Sequence, residues 1–219
     1  NIYRQHPEIC IDTRQVSEGC IFFALKGPNF NANEFALNAL NSGATYAIVD
    51  EEKYVLDERF ILVQDSLKSL QELANFHRKK LSCPIIGITG TNGKTTSKEL
   101  CHIVLNQKYK VAATKGNLNN HIGVPLSILS ISTDTEIAII EMGANKLLDI
   151  DELCRIAVPT HGLITNIGKA HLEGFINFEG VLKTKSELYD HVQAQNGVLF
   201  VNADDPILTE AAQKRNIKY

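Results

Sequence analysis

The segment Pro84–Leu100, PIIGITGTNGKTTSKEL, constrains the fold of this chain more than any other stretch. An apolar run, Pro84–Thr89, reads as a buried strand and leads directly into Gly90-Thr91-Asn92-Gly93-Lys94-Thr95-Thr96, where a helical pattern begins. Glycines let the backbone curl so that several N–H groups converge on one anion, and the helix N-terminus adds partial positive charge. In such a loop Lys94 reaches the β- and γ-phosphates of a nucleotide, and the Thr95 hydroxyl is placed to ligate Mg²⁺. The full phosphate-loop pattern has a further glycine where this chain has Ile88, so the match is to the shorter GxxGKT form. A mere glycine-rich turn with an unconnected lysine fits less well, because strand, helix and hydroxyl pair all fall in place.

Around this segment apolar runs alternate with helical patterns, which predicts an α/β fold with mainly parallel sheets. Strands are expected at Cys20–Leu25, Tyr46–Val49 and Phe60–Val63, with a helix near Glu34–Asn41. A helix follows Asp65 and Ser66, either able to cap it, and ends at Ser82-Cys83-Pro84. A small N-terminal domain, residues 1–82, and a phosphate-loop domain, residues 83–219, are therefore expected. In the second, further strands are predicted at Val111–Ala113, Glu136–Glu141, His161–Thr165 and Gly197–Asn202. The expected helices there are Thr95–Asn106, Ile150–Ala157, Phe178–Val192 and Pro206–Lys214. Asn216–Tyr219 reads as the start of another strand, and the chain as a fragment of a longer protein.

The strand Glu136–Ile140 ends in an acid, Glu141, followed by Met142-Gly143-Ala144-Asn145. Ligands of parallel α/β sheets gather at the carboxyl ends of the strands, so Glu141 is a candidate partner for Mg²⁺ or its waters. Asn117, Asn119 and Asn120 form a polar loop suited to amides and sugar hydroxyls, or equally to a turn. A net charge of -3 gives no reason to expect nucleic acid or an anionic membrane as partner. No apolar run reaches the roughly 20 residues of a membrane helix. The five cysteines are scattered and lack zinc-site spacing, which fits reduced thiols in a cytoplasmic protein.

TGTNGKTT resembles the ATP loop shared by Mur ligases and folylpolyglutamate synthetases. Within that superfamily, KGNLNNHIGVP (Lys115–Pro125), EMGAN (Glu141–Asn145), ITNIGKAHLEGF (Ile164–Phe175) and KTKSELY (Lys183–Tyr189) look like the Mur ligases that add D-alanyl-D-alanine. IDTRQVSEGCIFFALKGPNFNANEF (Ile11–Phe35) is similar to their N-terminal domain, which holds the UDP end of a UDP-N-acetylmuramoyl-tripeptide. The resemblance covers nearly the whole chain. It implies an ATP-dependent ligase of peptidoglycan precursor synthesis: a substrate carboxylate attacks the γ-phosphate, and the amine of D-alanyl-D-alanine attacks the resulting acyl phosphate.

By the same resemblance, Thr95 and Glu141 serve a first Mg²⁺, while His171 and a carbamylated Lys185 serve a second. From residue chemistry alone His171 reads as a surface or helix-cap histidine, and Lys185 as a solvated helix lysine. The family spacing Lys-x-x-Leu-Tyr selects Lys185 over Lys183. Asn166, Asn117, Asn119 and Asn120 become candidate substrate residues, and Thr13 and Arg14 candidate contacts to uridine or diphosphate. The family follows MGAN with histidine and then Gly-Glu-Ile; this chain has Lys146-Leu147-Leu148-Asp149-Ile150. A cytoplasmic monomer is expected, and this chain alone is expected not to catalyse ligation, since the acceptor site lies in a third domain. Rival readings are another Mur ligase, a folylpolyglutamate synthetase, a phosphate-loop kinase or NTPase, and a noncatalytic nucleotide-binding module.

Overall fold

The computed structural model describes residues 2–168, 175 and 177–217. His171 lies outside the described residues, as do Lys218 and Tyr219. The chain divides into two compact units, residues 1–73 and 74–219.

The first unit runs α1 (Ile2–Gln5), β1 (Ile9–Cys10), β2 (Ile21–Phe23), β3 (Lys26–Gly27), β4 (Phe30–Asn31), α2 (Ala36–Asn41), β5 (Tyr46–Val49), β6 (Phe60–Leu62) and the start of α3 (Ser66–Arg78). Its sheet has the order β1-β2-β5-β6, every pair parallel, while β3 and β4 form a separate antiparallel pair. All three residues of β2 are buried, as a parallel strand covered on both faces requires. The core combines Phe22, Val49 and Phe60 with Ala36, Ala39 and Ala47, small residues that let a helix lie close on the sheet. Asn33, 1% exposed, ties this unit together: its amide donates to Asn31 and Asp50, and its oxygen accepts from Asp50 N. Asp65 caps α3 by accepting from Lys68 N at 2.8 Å.

The division between units falls inside α3, upstream of the expected break at Ser82–Pro84. The last turn of α3 belongs with the second unit for a chemical reason. Arg78 is buried and donates to the carbonyls of Ala157, Val158 and Leu81, and Asn75 donates to Arg155 O.

The second unit continues through β7 (Ile85–Thr89), α4 (Lys94–Leu105), β8 (Val111–Ala113), α5 (Gly123–Leu129), β9 (Ile137–Glu141), α6 (Asp149–Ala157), β10 (His161–Ile164), α7 (Phe178–Ala194), β11 (Val198–Phe200) and α8 (Pro206–Gln213). Its parallel sheet has the order β11-β10-β7-β9-β8, with the phosphate-loop strand β7 in the middle. After β8 and β9 on one side, the chain crosses to β10 on the other, so a crevice opens at the carboxyl end of β7.

The described residues correct one predicted element. Asn216 and Ile217 form no strand; they terminate α8. Asn216 is left-handed at φ 54, and Ile217 N donates to Ala212 O at 3.0 Å, closing the helix end. The sequence reading also missed α5, since Gly-Val-Pro reads as a turn. Proline is tolerated in the first turn, where its missing N–H would have no helical partner, and Asn120 Oδ1 caps the start by accepting from Ile122 N and Gly123 N.

Candidate active site

Strand β7 delivers the loop Gly90–Gly93 to the first turn of α4. Gly93 turns the chain at φ 77, a conformation costly for any residue with a Cβ. Gly90 sits at φ 143, and a Cβ there would lie 2.0 Å from Thr165 Oγ1. Its lack of a side chain lets the segment after β10 close over the loop. Thr91 N donates to Asn166 O, Asn92 N donates to Asn166 Oδ1, and Asn166 Nδ2 returns to Asn92 O at 2.9 Å. Thr165 Oγ1 donates to Asn92 O at 2.6 Å, and Gly168 N to Thr91 Oγ1 at 2.9 Å. Asn166, singled out as a substrate candidate, therefore spends both ends of its amide bracing the loop.

Lys94 folds back over that loop, donating to Gly90 O at 2.9 Å and Thr91 O at 3.1 Å. Burial holds its pKa below the ordinary lysine value, and the charge of Glu141 opposes the shift. Thr95 and Thr96 stand exposed on the first turn of α4.

Glu141 ends β9 directly beside Ile88 of β7 and is 1% exposed. It is no strand-end carboxylate facing water. Oε1 accepts from Asn119 Nδ2 at 2.8 Å, whereas Oε2 is buried with no hydrogen-bond partner among the described residues. A buried carboxylate oxygen without a donor is costly, and a cation would satisfy it. Glu141 thus fits a Mg²⁺ ligand. Among the described residues no three His, Cys, Asp or Glu side chains cluster as a metal site, so any cation here draws on other groups.

The asparagine loop divides in role. Asn119 touches Glu141 and its backbone oxygen accepts from Gly143 N at 2.7 Å; Asn120 caps α5 and still faces the cleft; Asn117 is exposed.

Lys185 projects from α7 and is 3% exposed, while Lys183 is exposed. Its ammonium stands 5.8 Å over the Phe175 ring and makes no ion pair among the described residues. Burial first, then the charge of Lys94, pushes its pKa down to about 8, against the pull of Asp149 and Glu187. Residue type alone misplaced this lysine in solvent. Gly90, Thr91, Lys94, Asn119, Glu152 and Lys185 line one cleft of about 230 Å³. That is smaller than the roughly 300–1,000 Å³ of complete ligand pockets, so it matches a phosphate group and cation better than a whole nucleotide.

The Lys146–Ile150 departure is held by two carboxylates. Asp149 accepts from Asn145 N and Lys146 N, and Glu187 accepts from Leu148 N and Asp151 N. Leu148 occupies φ 69, a left-handed conformation that suits glycine better than leucine.

In the first unit Asp12 caps a short 3₁₀ turn, Thr13–Gln15, and Arg14 forks onto the same carboxylate at 2.6 Å. Thr13 and Arg14 border an apolar depression lined by Phe22, Phe30 and Phe35.

Strand order, glycine loop and strand-end acid define a nucleotide-binding α/β domain of the phosphate-loop class. Residues 88–219 match the Mur ligase middle domain, and the chain belongs to the Mur ligase family. It is 38% identical over 205 residues to the UDP-N-acetylmuramoyl-tripeptide–D-alanyl-D-alanine ligase of Bacillus subtilis, covering 93% of this chain and 45% of that protein. The Escherichia coli ligase of the same name is 36% identical over 197 residues, covering 90% and 43%. The MurF ligase of Thermotoga maritima, solved in complex with ADP, superposes with a TM-score of 0.87 at 35% identity, covering 96% of this chain and 48% of that one. The chain spans about half the length of the curated relatives it matches.

Proposed function

We propose that this chain supplies the UDP-substrate-binding and nucleotide-binding domains of an ATP-dependent, ADP-forming ligase. The reaction would join D-alanyl-D-alanine to a UDP-N-acetylmuramoyl-tripeptide in peptidoglycan precursor synthesis, in a cytoplasmic, monomeric enzyme. The observation that carries the proposal is Glu141: a buried carboxylate with one oxygen on Asn119 and the other without a donor among the described residues, in the same crevice as Lys94. The names of the Bacillus subtilis and Escherichia coli relatives support the substrate pair.

In this reading the N–H groups of Gly93–Thr96 and the Lys94 ammonium hold the β- and γ-phosphates, while the N–H groups of Thr91 and Asn92 brace the loop on Asn166. The tripeptide carboxylate attacks the γ-phosphorus, ADP leaves, and an acyl phosphate forms. The free amine of D-alanyl-D-alanine then attacks the acyl carbon, phosphate departs, and the amine's surplus proton is lost. Two anions must approach one another, so charge neutralisation and alignment are the protein's main contributions. Mg²⁺, held by Thr95 and Glu141, with a second ion held by His171 and carbamylated Lys185, would supply further positive charge to the phosphates. Carbamylation itself needs a neutral amine, which adds CO₂ and releases one proton. The depressed pKa of Lys185 gives that form a larger share at neutral pH than an ordinary lysine has. Asn117, Asn119, Asn120 and Asn166 would contribute on the substrate side chiefly by shaping the loops, and Thr13 and Arg14 would face the UDP group.

Phosphate release by the full-length protein tests the proposal. Release should require ATP, Mg²⁺, a UDP-N-acetylmuramoyl-tripeptide and D-alanyl-D-alanine together. Release that ignores the amino acceptor would point to a kinase or NTPase, and a preference for glutamate or a single amino acid to a sibling ligase.

A further inference from the structure

Behind the cleft, one turn along α4 from Lys94, a second lysine is wholly enclosed. Lys98 is 0% exposed; its ammonium donates to Thr114 O at 2.7 Å and meets Glu99 Oε1 at 2.9 Å. Burying an ammonium is expensive, and a methionine of similar length would fill the same space without that cost. The charge therefore has a use beyond packing, and the partner it selects shows what that use is.

Thr114 follows the last residue of β8 and is itself buried. Its N–H donates to Ile139 O, and its Oγ1 accepts from Glu141 N at 3.0 Å. Immediately after Thr114 the chain leaves the sheet as the loop that carries Asn119 back to the Glu141 carboxylate. Glu141 is thus gripped at its backbone by Thr114 and at its side chain by Asn119, the two ends of one loop. Lys98 fixes the point at which that loop departs, and it does so from the helix that also carries Lys94.

We propose that Lys98 and Thr114 are positioning residues that set the Glu141 carboxylate relative to the phosphate loop, through the contacts Lys98 Nζ–Thr114 O and Thr114 Oγ1–Glu141 N. Neither touches the reacting atoms. Their effect passes through Glu141, so the inference rests on reading Glu141 as the metal-side carboxylate.

A positioning role predicts damage to metal-dependent nucleotide binding, leaving metal-free binding intact. The measurement is the ratio of ADP dissociation constants without and with Mg²⁺, by titration calorimetry on the full-length protein, alongside thermal melts. Displacement of a site group by about an ångström can cost about a hundredfold, so a partial shift should reduce the ratio by about tenfold. Lys98→Met and Thr114→Val should both do so, with metal-free affinity changed by less than about twofold. Thr114→Ser, which keeps the acceptor oxygen, should retain the wild-type ratio. If Lys98→Met does not fold, the Thr114→Val and Thr114→Ser pair decides, since those variants differ in whether the acceptor remains. A wild-type ratio in Thr114→Val, or equal losses with and without Mg²⁺, overturns the inference. Glu141→Gln separates the two levels: if it alone lowers the ratio, only the positioning role fails. If Glu141→Gln leaves the ratio unchanged, the reading of Glu141 fails and the positioning role fails with it.

Discussion

Lys185→Met should make this protein more stable at neutral pH while removing the lysine proposed to serve the second metal ion. Lys185 is buried, and its pKa falls from 10.5 to about 8, first because burial disfavours its charge and then because Lys94 repels it. Below pH 8 the side chain is protonated in both folded and unfolded chains, and the whole cost of the buried charge is present. Between pH 8 and 10.5 the folded chain has released a proton that the unfolded chain still holds, so stability rises with pH. Above 10.5 the contribution disappears. The drop in pKa corresponds to about 3 kcal/mol as an upper value, because each tenfold change in proton affinity is worth about 1.4 kcal/mol. Methionine has similar length and no charge, so the variant should gain about 1–3 kcal/mol at pH 7 and less than about half of that at pH 9.5. Urea denaturation of both proteins at the two pH values, in bicarbonate-free and Mg²⁺-free buffer, measures the difference. Equal stability at pH 7, or an advantage that does not shrink at pH 9.5, would refute the reasoning. The same shift leaves about a tenth of the amine neutral at pH 7, against about 0.03% for an ordinary lysine, and only the neutral amine takes up CO₂.

Three further outcomes follow from the site and its supports. Lys94→Ala in the full-length protein should lower turnover by about a hundredfold or more with little change in melting temperature, because it removes a positive group from the phosphates; near-normal turnover would exclude that role. Gly90→Ala places a Cβ 2.0 Å from Thr165 Oγ1 at φ 143, so ADP affinity should fall by at least about tenfold, and unchanged affinity would show that the clamp after β10 is loose. Arg78→Met leaves the carbonyls of Leu81, Ala157 and Val158 without their donor and should cost about 2–4 kcal/mol in urea denaturation, whereas a loss below about 0.5 kcal/mol would mean water replaces it.

The residues that sequence places well are those whose neighbours in the chain decide their conformation. Gly90 to Thr96 must follow a strand and open a helix, and short apolar runs put β7, β9 and β10 within a residue or so of where they lie. Tyr46–Val49 and Val111–Ala113 coincide with β5 and β8. Short-range chemistry also reveals the Asp65 cap of α3. Elements too short for a period, such as β1 and the β3–β4 pair, leave no such trace, and a proline inside the first turn concealed α5.

What sequence alone determined is therefore the phosphate loop, the α/β class and, through several ordered motifs, the family. Tertiary structure decided which polar groups are buried and what they face, because burial depends on strands and helices brought together from distant parts of the chain. Lys98 and Lys185 look like helix-surface lysines until β8 covers one and Phe175 the other. Asn166 shows its bracing of Asn92 only in the folded chain, and Glu141 becomes a distinctive carboxylate only when Asn119 takes one oxygen and burial isolates the other. Desolvation and hydrogen-bond competition act over a few ångströms in space, and spacing along the chain carries no record of them.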